Sequence, residues 1–192
     1  MNKTTAIRTI IAATTDQPIV FTTGYSCRIA KHIADRPNHF YMTGSMGLAA
    51  SIATGIALTT GATAVAVDGD GSVLMNPTCL VTAGAVPDLP LVHLVLDDGG
   101  YASTGGQRTP AARTDLTAWA RACGYPSATC TDNPEELTEL LKAALAGSSP
   151  TFLQCLLTEP DDRVPPRIDL DLADHQARFT RHIRSLAPAA VG

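Results

Sequence analysis

Two aspartates stand where a metal-assisted chemistry would need them. Asp70 lies in the run Gly69-Asp70-Gly71-Ser72, and Asp98 follows 28 residues later in Asp97-Asp98-Gly99-Gly100. Each comes after a short apolar run, TAVAV over 63–67 and LVHLVL over 91–96, of the kind that builds a buried strand. Carboxylates at the ends of adjacent strands suit a hard cation that bridges to phosphate oxygens, as magnesium does. Glycines beside them let backbone N–H groups approach an anion. Two further Gly-rich segments, GYSCR over 24–28 and TGSMG over 43–47, add to the set. The second is expected to open a helix, whose N-terminus contributes partial positive charge. A phosphorylated ligand is the natural inference. GDGS is not the dinucleotide fingerprint, because Leu74 stands where its last glycine belongs, and no Gly-Lys-Ser/Thr follows to make a P-loop. An isolated Asp-Gly run is more often only a turn; the spacing to Asp98 is what sets this one apart.

The elements that must position these residues alternate along the chain. Helices are expected over Thr4–Ala13, Ser26–Ala34, Met46–Thr60, Ser72–Val86 (disturbed by Pro77), Thr114–Cys123 and Pro134–Ala146. Strands are expected over Pro18–Thr23, His39–Met42, Thr63–Val67, Leu91–Leu96, Ser127–Thr131 and Thr151–Leu157. Continuous apolar strands separated by helices imply an α/β fold with a mainly parallel sheet covered on both faces, a single three-layer α/β/α domain. In such a sheet ligands bind beyond the carboxyl ends of the strands, where the loops described above fall. We place the binding domain at residues 1–157, and a linker with a C-terminal helix at 158–192. That helix is read with Asp169, Asp171 and Asp174 early and Arg178, Arg181 and Arg184 late, in accord with the helix dipole. Its apolar stripe, Leu172, Phe179, Ile183 and Leu186, is expected to pack on its own sheet or on a partner.

Composition removes several other classes. The 192 residues are 45% hydrophobic and 17% charged with a net charge of −4, so no basic face tracks a nucleic acid. Five cysteines at 27, 79, 123, 130 and 155 include no CxxC pair, which argues against zinc ribbons and iron–sulfur clusters. An odd count suits free packing thiols in a reducing, cytoplasmic setting. No stretch reads as a signal peptide or a membrane span. His93 reads as a core histidine, and His32 and His39 as surface or loop residues.

Taken together, TTGYSCR, FYMTGSMGLAASIATGIAL, AVDGDGSVLMN and LVLDDGGYASTGGQ resemble the beta subunits of sulfopyruvate and phosphonopyruvate decarboxylases, which are thiamine-diphosphate enzymes. The resemblance covers about residues 18–157. It implies that Asp70, Asp98 and the Gly100 carbonyl bind Mg2+. It implies further that Gly71 and Ser72, following Gly69, and the loop Gly24, Tyr25 and Ser26 hold the diphosphate. Tyr101 and Ala102 continue the cofactor-binding loop. Gly44, beside Ser45, would accept a hydrogen bond from the aminopyrimidine, and Met46 would be the apolar wedge that keeps the cofactor bent. Thr104 and Gln107 would face the substrate. The family usually carries Asn where this chain has Asp98, so Asp98→Asn is expected to be tolerated.

The resemblance also implies a partner. Thiamine enzymes need a glutamate against the pyrimidine ring, carried by a separate pyrimidine-binding domain. The glutamates here, at 135, 136, 139 and 159, are expected far from the strand-end loops. The chain is expected to be half of an active site, in a hetero-oligomer with two-fold symmetry, acting on an anionic 2-oxo acid. Rival readings are a carboligase subunit, a non-catalytic binding subunit, a ferredoxin-linked oxidoreductase subunit lacking its cluster cysteines, and a nucleotide-dependent oxidoreductase.

Overall fold

The computed structural model describes residues 1–161 and 164–186; Asp162 and Arg163 of the linker lie outside them. Six strands form one parallel sheet: β1 (Ile19–Phe21), β2 (His39–Tyr41), β3 (Ala64–Gly69), β4 (Leu91–Asp97), β5 (Ser127–Thr131) and β6 (Thr151–Leu156). Their order is β2-β1-β3-β4-β6-β5, and every pairing is parallel. The expected mainly parallel sheet is therefore present. Successive strand residues divide between two cores, as the twofold side-chain period of a strand requires. Ala64 and Ala66 of β3 join the core beneath α3 (Ala49–Thr60), α5 (Thr78–Gly84) and α6 (Leu116–Ala122). Val65 and Val67 join the opposite core with α1 (Lys3–Ala13), α2 (Tyr25–Ile33) and α7 (Pro134–Ala146). Local chemistry sets several ends. Asn2 and Asn133 cap α1 and α7 by accepting from Thr5 N and Glu136 N at 2.9 Å each, and α3 stops at the left-handed Gly61.

Several expectations need correction. The helix expected from Met46 begins only at Ala49, because Ser45 (φ 55°) and Gly47 (φ 95°) adopt left-handed backbone and hold 43–48 as a loop. The helix expected over 72–86 is two: α4 (Asp70–Met75) starts earlier, and Pro77, which has no N–H to donate, separates it from α5. His39 is fully buried on β2, with Nδ1 3.1 Å from the Ala34 carbonyl and 3.2 Å from the Tyr41 hydroxyl. Burial pushes its pKa down to about 4. Lastly, Asp169 and Asp171 precede the terminal helix α8 (Leu172–Leu186), and Asp171 caps it by accepting from Ala173 N and Asp174 N.

The stripe of α8 is also different from the one expected. Leu172 is exposed, while His175 is buried, stacks on Phe40 and Tyr41 and accepts from Tyr41 N at 3.0 Å. Phe179 packs on Phe40, so α8 covers the β2 edge of the chain's own sheet. No helix among the described residues is long and apolar enough to cross a membrane, and all five cysteines are free.

Candidate functional site

The strand order reverses at β1, whose neighbours are β2 on one side and β3 on the other. The carboxyl ends of β1 and β3 thus part to open a crevice, the place where parallel sheets bind ligands. β1 runs into Thr22, Thr23 and Gly24; β3 ends at Gly69 and hands over to α4 at Asp70; β4 ends at Asp97. The loop 98–103 folds back over this crevice.

Asp70 is buried at 1% exposure, and its Oδ2 accepts a hydrogen bond from the Thr109 hydroxyl. Burial, reinforced by repulsion from Asp97 and Asp98, pushes its carboxyl up to about 6. A carboxylate so placed is short of positive charge. The two neighbouring aspartates differ in what they face. Asp97 is occupied inward, accepting from Gly99 N at 3.1 Å and Gln154 Nε2 at 2.8 Å. Asp98 turns to the crevice, where its Oδ2 lies 2.7 Å from Lys3 Nζ.

Gly71 shows why the second glycine of GDG is needed. A β-carbon there would strike the Tyr101 ring, which lies over the first turn of α4. Gly69 at the head of α4 offers no side-chain cap, so the first-turn N–H groups have no partner from a capping side chain. Ser72 is placed differently from its neighbours, since its hydroxyl is fully buried beneath the crevice. It donates to Asp68 Oδ1 at 2.6 Å, accepts from Gly47 N at 2.9 Å and meets Thr22 Oγ1 at 3.0 Å. Asp68 Oδ2 in turn lies 3.1 Å from His93 Nε2, and His93 Nδ1 lies 3.4 Å from the Tyr125 hydroxyl. This confirms His93 as a core histidine with partners, and it shows what it supports. Gly47 is held from the other side too, its carbonyl accepting from Asn76 Nδ2 at 2.9 Å. The loop 43–48 is thereby pinned to α4.

Most of the residues singled out in the sequence converge. Tyr25, Ser26 and Met46 line the crevice with Asp70, Gly71 and Asp98, and Gly69, Gly100, Tyr101 and Ala102 complete its wall. Gly24 sits just behind, where a β-carbon would press on Ser103 Oγ. Gly44, Ser45, Thr104 and Gln107 do not line it; all four are exposed at the rim, and Thr104 Oγ1 donates to the Tyr101 carbonyl at 3.1 Å. The sequence reading missed Lys3, Thr22, Thr23 and Ser103, which also line the crevice. It further misplaced Glu159, which borders the adjoining cleft with Tyr25 and Asp98, although its side chain is 66% exposed.

The donor set fits magnesium diphosphate. Among the described residues no three His, Cys, Asp or Glu side chains gather to hold a metal by themselves. Two carboxylates beside backbone N–H groups that no side chain caps match the way Mg2+ is bound, by one or two carboxylates plus ligand phosphates. Fold and site together define an α/β domain with a strand-end crevice lined by two carboxylates and by glycine-rich turns.

Residues 22–155 match the C-terminal TPP binding domain of thiamine pyrophosphate enzymes, and the chain belongs to that family. It is 48% identical over 138 residues to a phosphonopyruvate decarboxylase of Streptomyces viridochromogenes, which covers 72% of this chain and 35% of that one. The chain therefore spans about a third of the length of the phosphonopyruvate decarboxylases it matches. It is 36% identical over 178 residues to the sulfopyruvate decarboxylase subunit beta of Methanococcus maripaludis, covering 93% of this chain and 95% of that subunit. In fold it is similar to the benzoylformate decarboxylase of Polynucleobacter necessarius, with a TM-score of 0.67 at 16% identity, over 80% of this chain and 32% of that one.

Proposed function

We propose that this chain is the diphosphate-binding half of a thiamine-diphosphate-dependent 2-oxo-acid decarboxylase, completed by a partner that carries the pyrimidine-binding domain. Residues 1–157 form the binding unit, and the segment from 158 onward leads to the covering helix α8. The observation that carries the reading is the convergence of Asp70, Asp98 and the Gly71 cradle at the β1/β3 crevice. The near-complete overlap with a subunit named beta supports the division of labour. None of the named relatives is described as a carboligase, so decarboxylation is the outcome favoured here.

In this reading Asp70, Asp98 and the Gly100 carbonyl hold magnesium. The N–H groups of Gly71 and Ser72, with the turn at Gly24, Tyr25 and Ser26, bind the diphosphate. Met46, half-buried in the crevice wall, would pack against the bound cofactor, and the Gly44 carbonyl, exposed at the rim, would accept a hydrogen bond from its aminopyrimidine. When bound, thiamine diphosphate supplies the electron sink that makes loss of carbon dioxide from a 2-oxo acid accessible. Thr104 and Gln107, at the exposed rim, meet the substrate where the partner covers them. The activating glutamate comes from the partner, because the near carboxylate, Glu159, is too exposed to hold a ring nitrogen in a dry pocket. Relatives named for sulfopyruvate and phosphonopyruvate point to a 2-oxo acid with an anionic tail as the substrate class.

The test is an assay of carbon dioxide release from sulfopyruvate, phosphonopyruvate and pyruvate with magnesium and thiamine diphosphate. The purified chain alone should be inactive and should bind the cofactor weakly. Activity should appear on adding the pyrimidine-domain subunit. Full turnover by these residues alone would overturn the half-site reading.

A further inference from the structure

Lys3 occupies a position that simple helix chemistry disfavours. It is the first residue of α1, next to the cap Asn2, where the helix dipole repels a cation. Its side chain is only 9% exposed, and a buried ammonium is costly without a partner. Among the described residues its one ion-pair partner is Asp98, at 2.7 Å. Asp98 and Lys3 are separated by 95 residues in the chain. Among the described residues Lys3 is also the sole cationic side chain in the wall of the crevice, which it shares with Asp70 and Gly71.

The crevice has a charge problem that Lys3 answers. Three carboxylates, Asp70, Asp97 and Asp98, stand at the carboxyl ends of the neighbouring strands β3 and β4. An anionic diphosphate must lie against the same wall. Divalent magnesium offsets part of that charge, and a fixed ammonium on Asp98 offsets one more. Lys3 engages Oδ2 of Asp98, and among the described residues no hydrogen bond engages Oδ1, the oxygen that would reach a metal. We propose that Lys3 is a positioning residue for the diphosphate site: it neutralises and orients Asp98, so that this aspartate serves as a metal ligand without repelling the cofactor. The inference rests on the reading of the crevice as a thiamine diphosphate site.

One consequence reverses the sequence expectation for Asp98. Replacing it by Asn strands a buried ammonium, and breaking one side of a buried pair is more damaging than removing both. Asp98→Asn alone should therefore lower the unfolding temperature of the unliganded chain. The double variant Lys3→Met/Asp98→Asn should regain most of the loss.

The experiment is a double-mutant cycle on the full chain, read by calorimetric titration with thiamine diphosphate at saturating magnesium and by thermal unfolding without ligand. Lys3→Met should weaken cofactor binding about tenfold with Asp98 present, and less than about twofold in the Asp98→Asn background. Lys3→Arg, which keeps the charge, should restore binding. Equal weakening in both backgrounds, or none, overturns the inference while leaving the assigned site intact. A wild-type chain that binds no thiamine diphosphate overturns both. If Lys3→Met does not fold, the double variant decides: recovery of folding and binding supports the pair, and failure refutes it.

Discussion

Ser72→Ala is the most informative single change for the scaffold beneath the crevice. The Ser72 hydroxyl is fully buried and uses its whole hydrogen-bonding capacity: its proton goes to Asp68, and its lone pairs accept from Gly47 N and Thr22 Oγ1. Alanine fits the space but leaves three buried polar groups each one partner short. Unsatisfied buried groups cost about 1–3 kcal/mol apiece, and relaxation recovers some of that, so a loss of about 3 kcal/mol is expected. For a chain of this length that corresponds to a fall of about 6–12 °C in Tm. The same variant releases Gly47 from α4, so the loop that carries Gly44 and Met46 loses its inner anchor. Binding of thiamine diphosphate should weaken along with the Tm. Differential scanning calorimetry and urea titration of the unliganded protein measure the first effect, and isothermal titration the second. A Tm within about 2 °C of the wild type would show that the network does not hold the loop, and the reasoning would fall.

Other changes separate the parts of the site. Asp70→Asn should abolish magnesium-dependent binding of thiamine diphosphate, read by calorimetry; retained affinity would remove Asp70 from the metal. Met46→Ala should lower turnover of the assembled enzyme by about tenfold or more with a smaller change in cofactor affinity, because it relaxes a conformation rather than a binding contact. The His39 share of stability should be lost in mild acid, opposed over part of the same interval by Asp70, whose carboxyl is raised to about 6 and so stabilises the fold as it becomes protonated. His39 stays neutral to about pH 4 when folded, against 6.5 unfolded, so its contribution is whole above pH 6.5 and is lost as the pH falls toward 4. The full interval amounts to roughly 3 kcal/mol. Buried His175, also shifted downward, acts in the same direction, so His39→Gln should flatten only part of the pH dependence of urea midpoints.

Asp70 and Asp98 were legible from sequence because strand, turn and spacing are local signals, and the apolar runs before them allow few registers. The layered parallel sheet was legible for the same reason. Lys3 was not, because nothing near residue 3 announces a partner 95 residues away. The start of α3 was misjudged because Met46 continues the helical pattern of small and apolar residues. Its backbone is instead set by Ser72 and Asn76, which grip Gly47 from both sides. His39 was misread because a three-residue strand carries too little periodicity to show that it packs edge-on against Phe21 and Tyr41 in the core. Likewise, an apolar count along α8 favours Leu172, whereas the stacking of His175 on Phe40 and Tyr41 decides which face turns inward.

The central claim is that this chain grips a metal-bridged diphosphate at the β1/β3 crevice. A crystal structure of the chain grown with magnesium and thiamine diphosphate tests it most directly. The account predicts a metal ion about 2.0–2.2 Å from carboxylate oxygens of Asp70 and Asp98 and from the Gly100 carbonyl, with the diphosphate against Gly71. A diphosphate bound elsewhere, or carboxylates at 70 and 98 turned away from the metal, would contradict it.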